Sequence, residues 1–203
     1  RNVLSAYDMM ISVGADPLRI SVYSEINPLP NGMSVIQIGL LDWEMGKNFA
    51  ADMAVRGDVR ETLHALIPIL QAKGGDALAK KAVAAIDAMA PRNWSATRQA
   101  MGESVRAAKD VNPIDPNWMT WQMVENLPNN AVMVHEGLTT TWQMHKMLAY
   151  TDRYSYHGFG SGVIGWAVPA AIGIQLADLS RPVCAVIGDG SSMYSIPALW
   201  TAA

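Results

Sequence analysis

The run Pro182–Ile187 constrains the fold of this chain more than any other feature, because all six residues are apolar and the run stops at a Gly-Asp-Gly turn. A strand without polar positions must be covered on both faces, as in a parallel sheet between layers of helices. Three other short apolar runs predict strands: Tyr7–Val13, Ser34–Ile38 and Ala131–Val134. Segments of helical periodicity lie between them. We therefore predict an α/β fold, with parallel sheets flanked by helices and parts of two doubly wound domains.

A loss of periodicity in the middle of the chain predicts the domain organisation. Asp58 is expected to cap a helix over Val59–Leu70, which Pro68 would kink or end early. A second amphipathic helix is expected over residues 76–90. Residues 91–116 have no apolar period, so we predict a linker there, with one domain over 1–90 and another over 117–203. Further helices are predicted over 117–126, 139–148 and 166–179, and from Ile196 onward.

Charge is distributed unevenly. Residues 111–203 contain nine charged side chains and residues 1–110 contain 24. We expect the charge-poor part to be covered by other segments of a larger protein or by a partner. The chain starts at Arg1 and ends at Ala203 inside an apolar stretch, so it is expected to be a piece of a longer polypeptide.

Composition argues against several classes of protein. A net charge of −3 with unclustered basic residues argues against nucleic-acid binding. The longest apolar stretch, Val163–Ile174, has 12 residues, whereas a membrane span needs about 18–20. The single cysteine, Cys184, excludes a disulfide framework and suits a reducing compartment, so a cytoplasmic location is expected.

Three glycine-containing segments are candidate ligand loops. In Gly188-Asp189-Gly190, the carboxylate can bind Mg²⁺ and the glycines allow a phosphate to approach the backbone. A plain turn is the alternative, because Asp-Gly is common in turns. The three threonines from Thr139 to Thr141 either cap a helix or bind an anion at its start. The glycine-rich segment 158–165 is a weak dinucleotide-type signal on its own.

Three segments resemble the cofactor-binding domain of the thiamine-diphosphate-dependent 2-keto acid decarboxylases, benzoylformate decarboxylase-like branch. They read HEGLTTTWQM from His135, GFGSGVIGWAVPAAIGIQLA from Gly158 and VCAVIGDGSSMYSIPALWTAA from Val183. The segment Val35–Leu66 resembles the end of the central domain of the same superfamily, with Gly39-Leu40-Leu41 in place of the usual acidic residues. The resemblance implies the end of a central domain followed by the start of a thiamine-diphosphate-binding domain.

The resemblance also implies a set of site residues. The cofactor-binding positions are Thr139, Gly162, Ile164, Asp189, Gly190 and Ser191, and Asp189 also ligates Mg²⁺. Ile164 matches the aliphatic residue beneath the cofactor rings, and the Gly162 carbonyl matches the acceptor for the cofactor's amino group. Leu138 stands where the family has a hydroxyl, so only Thr139 is carried over there, with Thr140 as an alternative.

The histidines are assigned from their positions. His157, directly before the glycine-rich segment, is the candidate catalytic residue. His135 is a weaker candidate at a strand end beside Glu136. His64 and His145 lie on predicted helices and are interpreted as structural.

The implied activity is decarboxylation of a benzoylformate-like 2-keto acid to an aldehyde by a homodimer or homotetramer that uses thiamine diphosphate and Mg²⁺. The family's catalytic glutamate and remaining Mg²⁺ ligands are expected outside this chain, which should be inactive alone. The segment Pro113–Pro116 stands where benzoylformate decarboxylases have a histidine, so the keto acid is left open. An acetolactate synthase-type carboligase and a non-catalytic nucleotide-binding module are the alternatives.

Overall fold

A computed structural model describes residues 2–15, 25–139, 141–158 and 162–203. The chain divides into two compact units, 1–86 and 87–203, and each contains a three-stranded parallel sheet with helices. The predicted α/β class is confirmed. Thr140 and residues 159–161 of the candidate loops lie outside the described residues. None of the helices in the described ranges is long and apolar enough to cross a membrane.

The first unit contains the sheet β1-β2-β3. Its strands are Met9–Val13 (β1), Ser34–Gly39 (β2) and Met53–Arg56 (β3), and all pair in parallel. Short 3₁₀ turns cover Leu4–Ala6 and Asp42–Glu44. Val35 and Ile38 of the central strand are buried, so the apolar run that predicted this strand forms the core of the unit.

A long helix, α1 (Val59–Met89), follows the first sheet. Asp58 caps it as predicted, because its carboxylate accepts the backbone N–H of Glu61 at 3.0 Å. The prediction that Pro68 ends the helix early is wrong, and the alternative of a kink at Pro68 stays a prediction. The helix continues past Pro68 and is interrupted instead at Gly75, whose φ of 52° is accessible to a residue without Cβ. A 3₁₀ turn, Ala90–Arg92, follows.

Residues 91–116, predicted as a linker, contain the helix α2 (Trp94–Arg106). The side chain of Asn93 caps it by accepting the N–H of Ala96 at 2.9 Å. Arg98 Nε donates to the Met147 carbonyl at 2.7 Å, and Trp94 Nε1 donates to the Lys146 carbonyl at 3.0 Å. These residues therefore belong structurally to the second unit. The assignment of 1–90 and 117–203 to two types of domain stays a prediction.

The second unit is organised around β4. In chain order its further elements are α3 (Pro116–Glu125), β4 (Val132–Glu136), α4 (Met144–Met147), β5 (Tyr156–His157), α5 (Ala167–Ala177), β6 (Val183–Ile187), α6 (Asp189–Met193), a 3₁₀ turn (Ile196–Ala198) and α7 (Leu199–Ala202). The strand order is β5-β4-β6, with all pairs parallel. All five residues of β4 are buried. The helix predicted over 139–148 is observed only over Met144–Met147.

The core of this unit lies between the sheet and α2 to α4. Its buried members are Val105, Trp121, Val124, Met133, Met144, Met147 and Leu148. Asp115 caps α3 through the backbone N–H groups of Asn117 and Trp118, each at 2.9 Å. The core supports β4 from one face and leaves its carboxyl end at the edge of the sheet.

Candidate functional site

The carboxyl ends of the three strands of the second sheet lie at one edge. β4 ends at Glu136 opposite Ile187 of β6, and β5 ends at His157 opposite Val134. In open parallel sheets, ligands bind outside this edge. The described segments that follow the strands are 137–139, 158 with 162–165, and 188–191, so the structure brings the described parts of the three predicted ligand loops to the same edge.

The side chain of Glu136 connects the end of β4 to the segment before α5. This side chain is 2% exposed, and its two carboxylate oxygens accept the backbone N–H of Gly165 at 2.5 Å and of Ala167 at 2.8 Å. The end of β4 is thereby joined to the first residue of α5. The sequence interpretation missed this role, and the available signal was a carboxylate at the end of an otherwise apolar strand.

Gly165 connects the same loop to the segment after β6. Its φ is 84°, a conformation that side chains with a Cβ rarely adopt. A Cβ at this position would lie 2.7 Å from Tyr194 Cβ and 3.1 Å from the Ser191 carbonyl oxygen. Glycine is therefore required both by conformation and by space, and the loops after β4, β5 and β6 form one connected arrangement.

The residues around Asp189 have the properties that a Mg²⁺-diphosphate group requires. No hydrogen bond or ion pair joins the exposed Asp189 carboxylate to another residue in the described part of the chain. Space is open where Gly162 and Gly190 would carry a Cβ. The hydroxyl of Ser195 is buried near Gly165 without a partner among the described residues. A free carboxylate, accessible glycine backbone and an unpaired hydroxyl fit the group.

Other predicted positions differ in their exposure. Thr139 is exposed at the edge of the sheet, Ser191 is half-buried, and Ile164 is 54% exposed. Across the described ranges, no group of three or more His, Cys, Asp or Glu residues could hold a metal ion. Asp189 alone therefore does not complete a cation site, which agrees with the expectation that further Mg²⁺ ligands lie outside this chain.

Thr141 does not cap a helix at the start of the predicted segment. It is buried, and its hydroxyl oxygen lies 2.8 Å from His135 Nε2. Because this hydroxyl is bound to the strand, the chain turns through Gln143 before α4 starts at Met144. This is the reason why α4 is shorter than predicted.

A cavity of about 330 Å³ lies beside the edge of the sheet. It is lined by His135, Gly137, Leu138, Trp142, His145, Tyr156 and Gly158. His145 lies on α4, as the predicted helix required, and it also lines this cavity, so its interpretation as structural stays a prediction. His64 belongs to α1. His157 is half-buried at the end of β5 and is absent from the cavity lining.

Burial shifts the pKa values of titratable side chains in and beside this cavity. It lowers the pKa of His135 below its usual value of 6.5, and the nearby His145 lowers that pKa further. Burial also raises the pKa of Tyr156, with a smaller contribution from Tyr150, and burial raises the pKa of Tyr150 itself. The imidazole of His135 and the two phenols are therefore neutral at neutral pH.

Stability is expected to decrease in acid because of His135. Its folded pKa lies below the usual 6.5, so below that pH the unfolded chain binds the proton more readily than the folded protein does. The contribution of His135 is favourable above about pH 6.5 and is lost as the pH falls below it. Denaturant unfolding of wild type and His135→Gln, from about pH 7.5 to about pH 5, measures this effect. An equal loss of stability in both proteins would contradict the prediction.

A second cavity, of about 200 Å³, lies at the carboxyl edge of the first sheet. Its lining includes Gly14, Gly39, Leu41, Glu44 and Val59. Gly14 has a φ of 66°, and its N–H donates to the Ile38 carbonyl at 2.8 Å. This cavity lies at the place where parallel sheets bind ligands, and its lining is mainly apolar.

Comparison with known proteins agrees with this geometry. Residues 136–203 match the family described as thiamine pyrophosphate enzyme, C-terminal TPP binding domain. The chain is similar to benzoylformate decarboxylase of Pseudomonas aeruginosa, with 27% identity over 202 residues that cover 99% of this chain and 34% of that protein. It is also similar to the acetolactate synthase isozyme 1 large subunit of Escherichia coli K12, with 25% identity over 209 residues, 98% of this chain and 33% of that protein.

A solved structure shows the same fold. The thiamine diphosphate-dependent 4-hydroxybenzoylformate decarboxylase of Rhodococcus jostii RHA1 matches 100% of this chain and 34% of its own, with a TM-score of 0.69 and 24% identity. The chain thus spans about one third of the length of the relatives that it matches. The resemblance inferred from the sequence motifs is confirmed.

Proposed function

We propose that the protein is a thiamine-diphosphate- and Mg²⁺-dependent lyase that decarboxylates a 2-keto acid to an aldehyde, because residues 136–203 match the C-terminal TPP binding domain of the thiamine pyrophosphate enzymes. The observation that carries the proposal is the connected set of loops at the edge of the second sheet, with Glu136 bound to Gly165 and Gly165 packed on Ser191. Similarity to a benzoylformate decarboxylase over 99% of the chain supports it.

Six residues would hold the cofactor in this proposal. They are Thr139, Gly162, Ile164, Asp189, Gly190 and Ser191. Asp189 would ligate Mg²⁺, since its exposed carboxylate has no partner in the described ranges. Gly190, Ser191 and Thr139 would bind the diphosphate with backbone and hydroxyl groups. Ile164 would contact the cofactor rings through its exposed side chain. The Gly162 carbonyl would accept a hydrogen bond from the cofactor's amino group.

The protein's share of the reaction is positioning and exclusion of water. When bound, thiamine diphosphate serves as the electron sink for the charge that remains when CO₂ leaves. The buried carboxylate of Glu136 holds the loop that contains Gly162 and Ile164 through Gly165. The charge-poor composition of residues 111–203 provides a low-dielectric surrounding, which favours loss of the carboxylate's charge. His157 remains the proposed acid–base candidate beside the glycine-rich segment.

Product analysis tests the proposed activity. The full-length protein, loaded with thiamine diphosphate and Mg²⁺, is expected to release CO₂ and an aldehyde from benzoylformate or pyruvate. The same assay with EDTA and without added cofactor is the control and should give no product. Formation of acetolactate from pyruvate without any aldehyde would contradict the lyase and identify a carboligase, the activity named for the similar protein of E. coli.

The apolar cavity of the first unit favours a second candidate, a nucleotide-binding function. Its glycine backbone at Gly14 and Gly39 and its position at the sheet edge suit a planar ligand. Equilibrium dialysis of the protein against FAD, ADP and thiamine diphosphate separates the candidates. Tight FAD binding would favour the carboligase or the nucleotide-binding module, and thiamine diphosphate binding alone would favour the lyase.

We also propose that the complete enzyme is a homodimer or homotetramer. Large apolar side chains near the end of the chain are exposed, among them Trp200 (89%), Leu179 and Tyr194. Surfaces of this kind are typical of interfaces. Light scattering of the full-length protein measures the oligomeric state.

A further inference from the structure

Five side chains beside the edge of the second sheet form one continuous hydrogen-bonded chain. Thr141 Oγ1 lies 2.8 Å from His135 Nε2, and His135 Nδ1 lies 3.1 Å from the Tyr156 hydroxyl. That hydroxyl lies 3.4 Å from His145 Nε2, and His145 Nδ1 lies 3.0 Å from the Tyr150 hydroxyl. We call this set the relay. Each imidazole uses both ring nitrogens within it.

The relay connects a buried end to solvent. Thr141 is 4% exposed and His135 is similarly buried, whereas Tyr150 is 52% exposed. The three central members, His135, Tyr156 and His145, line the cavity beside Gly137 and Leu138. A molecule in this cavity could therefore exchange a proton with the relay, while Tyr150 exchanges one with water.

The number of protons in the relay allows it to transfer a proton from one end to the other. A neutral imidazole has one N–H and one acceptor nitrogen, and each hydroxyl can donate once and also accept. With both imidazoles in the neutral form, the five groups hold five protons for four links. All donors can point from Thr141 toward Tyr150, or all can point the other way. Passing from one arrangement to the other moves one proton from one end to the other, with no net charge left inside.

The surroundings of the relay keep His135 and the two tyrosines uncharged and hold the rings in place. The described residues that line the cavity include no carboxylate, lysine or arginine, and the titratable groups that face His135 are His145 and Tyr156. The His135 and His145 rings pack edge to face at 5.2 Å, and those of Tyr150 and Tyr156 at 5.4 Å. A Cβ on Gly158 would lie 2.8 Å from the Tyr156 hydroxyl, and one on Gly137 would overlap Thr141 Oγ1. Both loop glycines therefore leave room for the relay.

We propose that this relay delivers a proton from solvent to a substrate in the cavity beside Gly137 and Leu138. The inference rests on the proposed decarboxylation, which consumes one proton: the 2-keto acid anion and H⁺ give the aldehyde and CO₂. The bond between the keto carbon and the carboxylate breaks, and a C–H bond forms in its place. The proton leaves the relay at Tyr156 or His135, and one from water enters at Tyr150.

Ring nitrogen chemical shifts test the relay in the protein without cofactor. In ¹⁵N-histidine-labelled full-length protein, the shifts of His135 report which nitrogen carries the proton. We expect Tyr150→Phe to change the tautomer balance of His135, although the Tyr150 hydroxyl is bonded to His145. The effect should vanish when Tyr156→Phe is already present, because the central link is missing. Phenylalanine keeps the ring packing, so only hydroxyl groups change.

Tyr154→Phe is the matched control, because Tyr154 is as exposed as Tyr150 and lies outside the relay. It should leave the His135 shifts unchanged. The relay is refuted if Tyr150→Phe does not affect His135, or if it does so equally in the Tyr156→Phe background. Because Tyr150 is exposed, Tyr150→Phe alone should fold normally, so its effect on His135 can be measured even if Tyr156→Phe destabilises the protein.

Turnover provides the second readout. Tyr156→Phe is expected to lower kcat by about 10²-fold, as for loss of an acid–base group, with unchanged affinity for thiamine diphosphate. Loss of that affinity together with kcat would indicate a structural role and contradict the relay. Aldehyde production by the wild type decides the proposed function, and the histidine shifts decide the relay, so failure of either is recognised separately.

Discussion

Asp189→Ala is expected to abolish Mg²⁺-dependent binding of thiamine diphosphate to the full-length protein. The Asp189 carboxylate lies at the start of α6, directly after β6, and is exposed without a partner among the described residues. Removing a metal ligand should weaken binding by at least about 10²-fold, since even groups outside the ligand shell contribute about 10- to 100-fold. Titration calorimetry with and without EDTA measures the loss.

Two variants sharpen this result. Asp189→Asn retains an oxygen ligand but removes the charge, so its affinity should fall between those of the wild type and Asp189→Ala. Asp110→Ala removes an exposed carboxylate whose nearest cation, Lys109, is 4.0 Å away, and it should bind the cofactor normally. Wild-type affinity in Asp189→Ala would exclude Asp189 as the metal ligand.

Glu136→Ala is expected to destabilise the second unit strongly. The variant removes both acceptors of the Gly165 and Ala167 N–H groups, at 2.5 and 2.8 Å. Each buried donor left without a partner costs about 1–3 kcal/mol, so the free energy of unfolding should decrease by about 2–6 kcal/mol. Chemical denaturation of the full-length protein, followed at an α5 or loop reporter, measures the change.

Glu136→Gln separates the two hydrogen bonds. Glutamine has one acceptor oxygen, so one backbone N–H can be satisfied while the other meets an NH₂ group. Its stability should therefore lie between those of the wild type and Glu136→Ala. Glu103→Gln, at an exposed position of α2, is the control and should be close to the wild type. If Glu136→Gln were as stable as the control, the carboxylate would not be holding α5.

Local patterns predicted the elements that a short sequence segment specifies by itself. The apolar run before Gly188 predicted β6, and the same reasoning predicted β2 and β4. Asp58 was recognised as a helix cap because its partner, Glu61, is three residues away. These features depend on neighbours in the sequence, which is why a single sequence was sufficient.

Elements held by distant contacts were missed. α2 has no long apolar run, and it is held by bonds from Trp94 and Arg98 to carbonyls about 50 residues away in α4. β5 has two residues and is a strand only because Tyr156 and His157 pair with β4. The apolar positions of α2 do recur at helical spacing, with Met101 and Val105 on the packed side, but they are too few to have been recognised among the polar residues.

The sequence likewise predicted only part of the candidate site. The resemblance provided the positions around Asp189, because they follow a motif of fixed spacing. Glu136 and the relay were not found, since Glu136 bonds to residues 29 and 31 positions away and the members of the relay come from β4, β5 and the segment between them. Thr141 was expected either to cap a helix or to bind an anion at its start, whereas its hydroxyl is bonded to His135.

The buried central strand β4 places His135 and Glu136 next to each other in the sequence, yet strand alternation directs them to opposite faces. His135 faces the cavity with its tyrosines, and Glu136 faces the loop before α5. The proposed relay and the hydrogen bonds that hold the loop before α5 therefore lie on opposite faces of a single sheet. Substitutions on the His135 face could therefore change the side chains that line the cavity while Glu136, on the other face, still holds the loop before α5. An insertion of one residue in β4 would exchange the two faces and disable both at once.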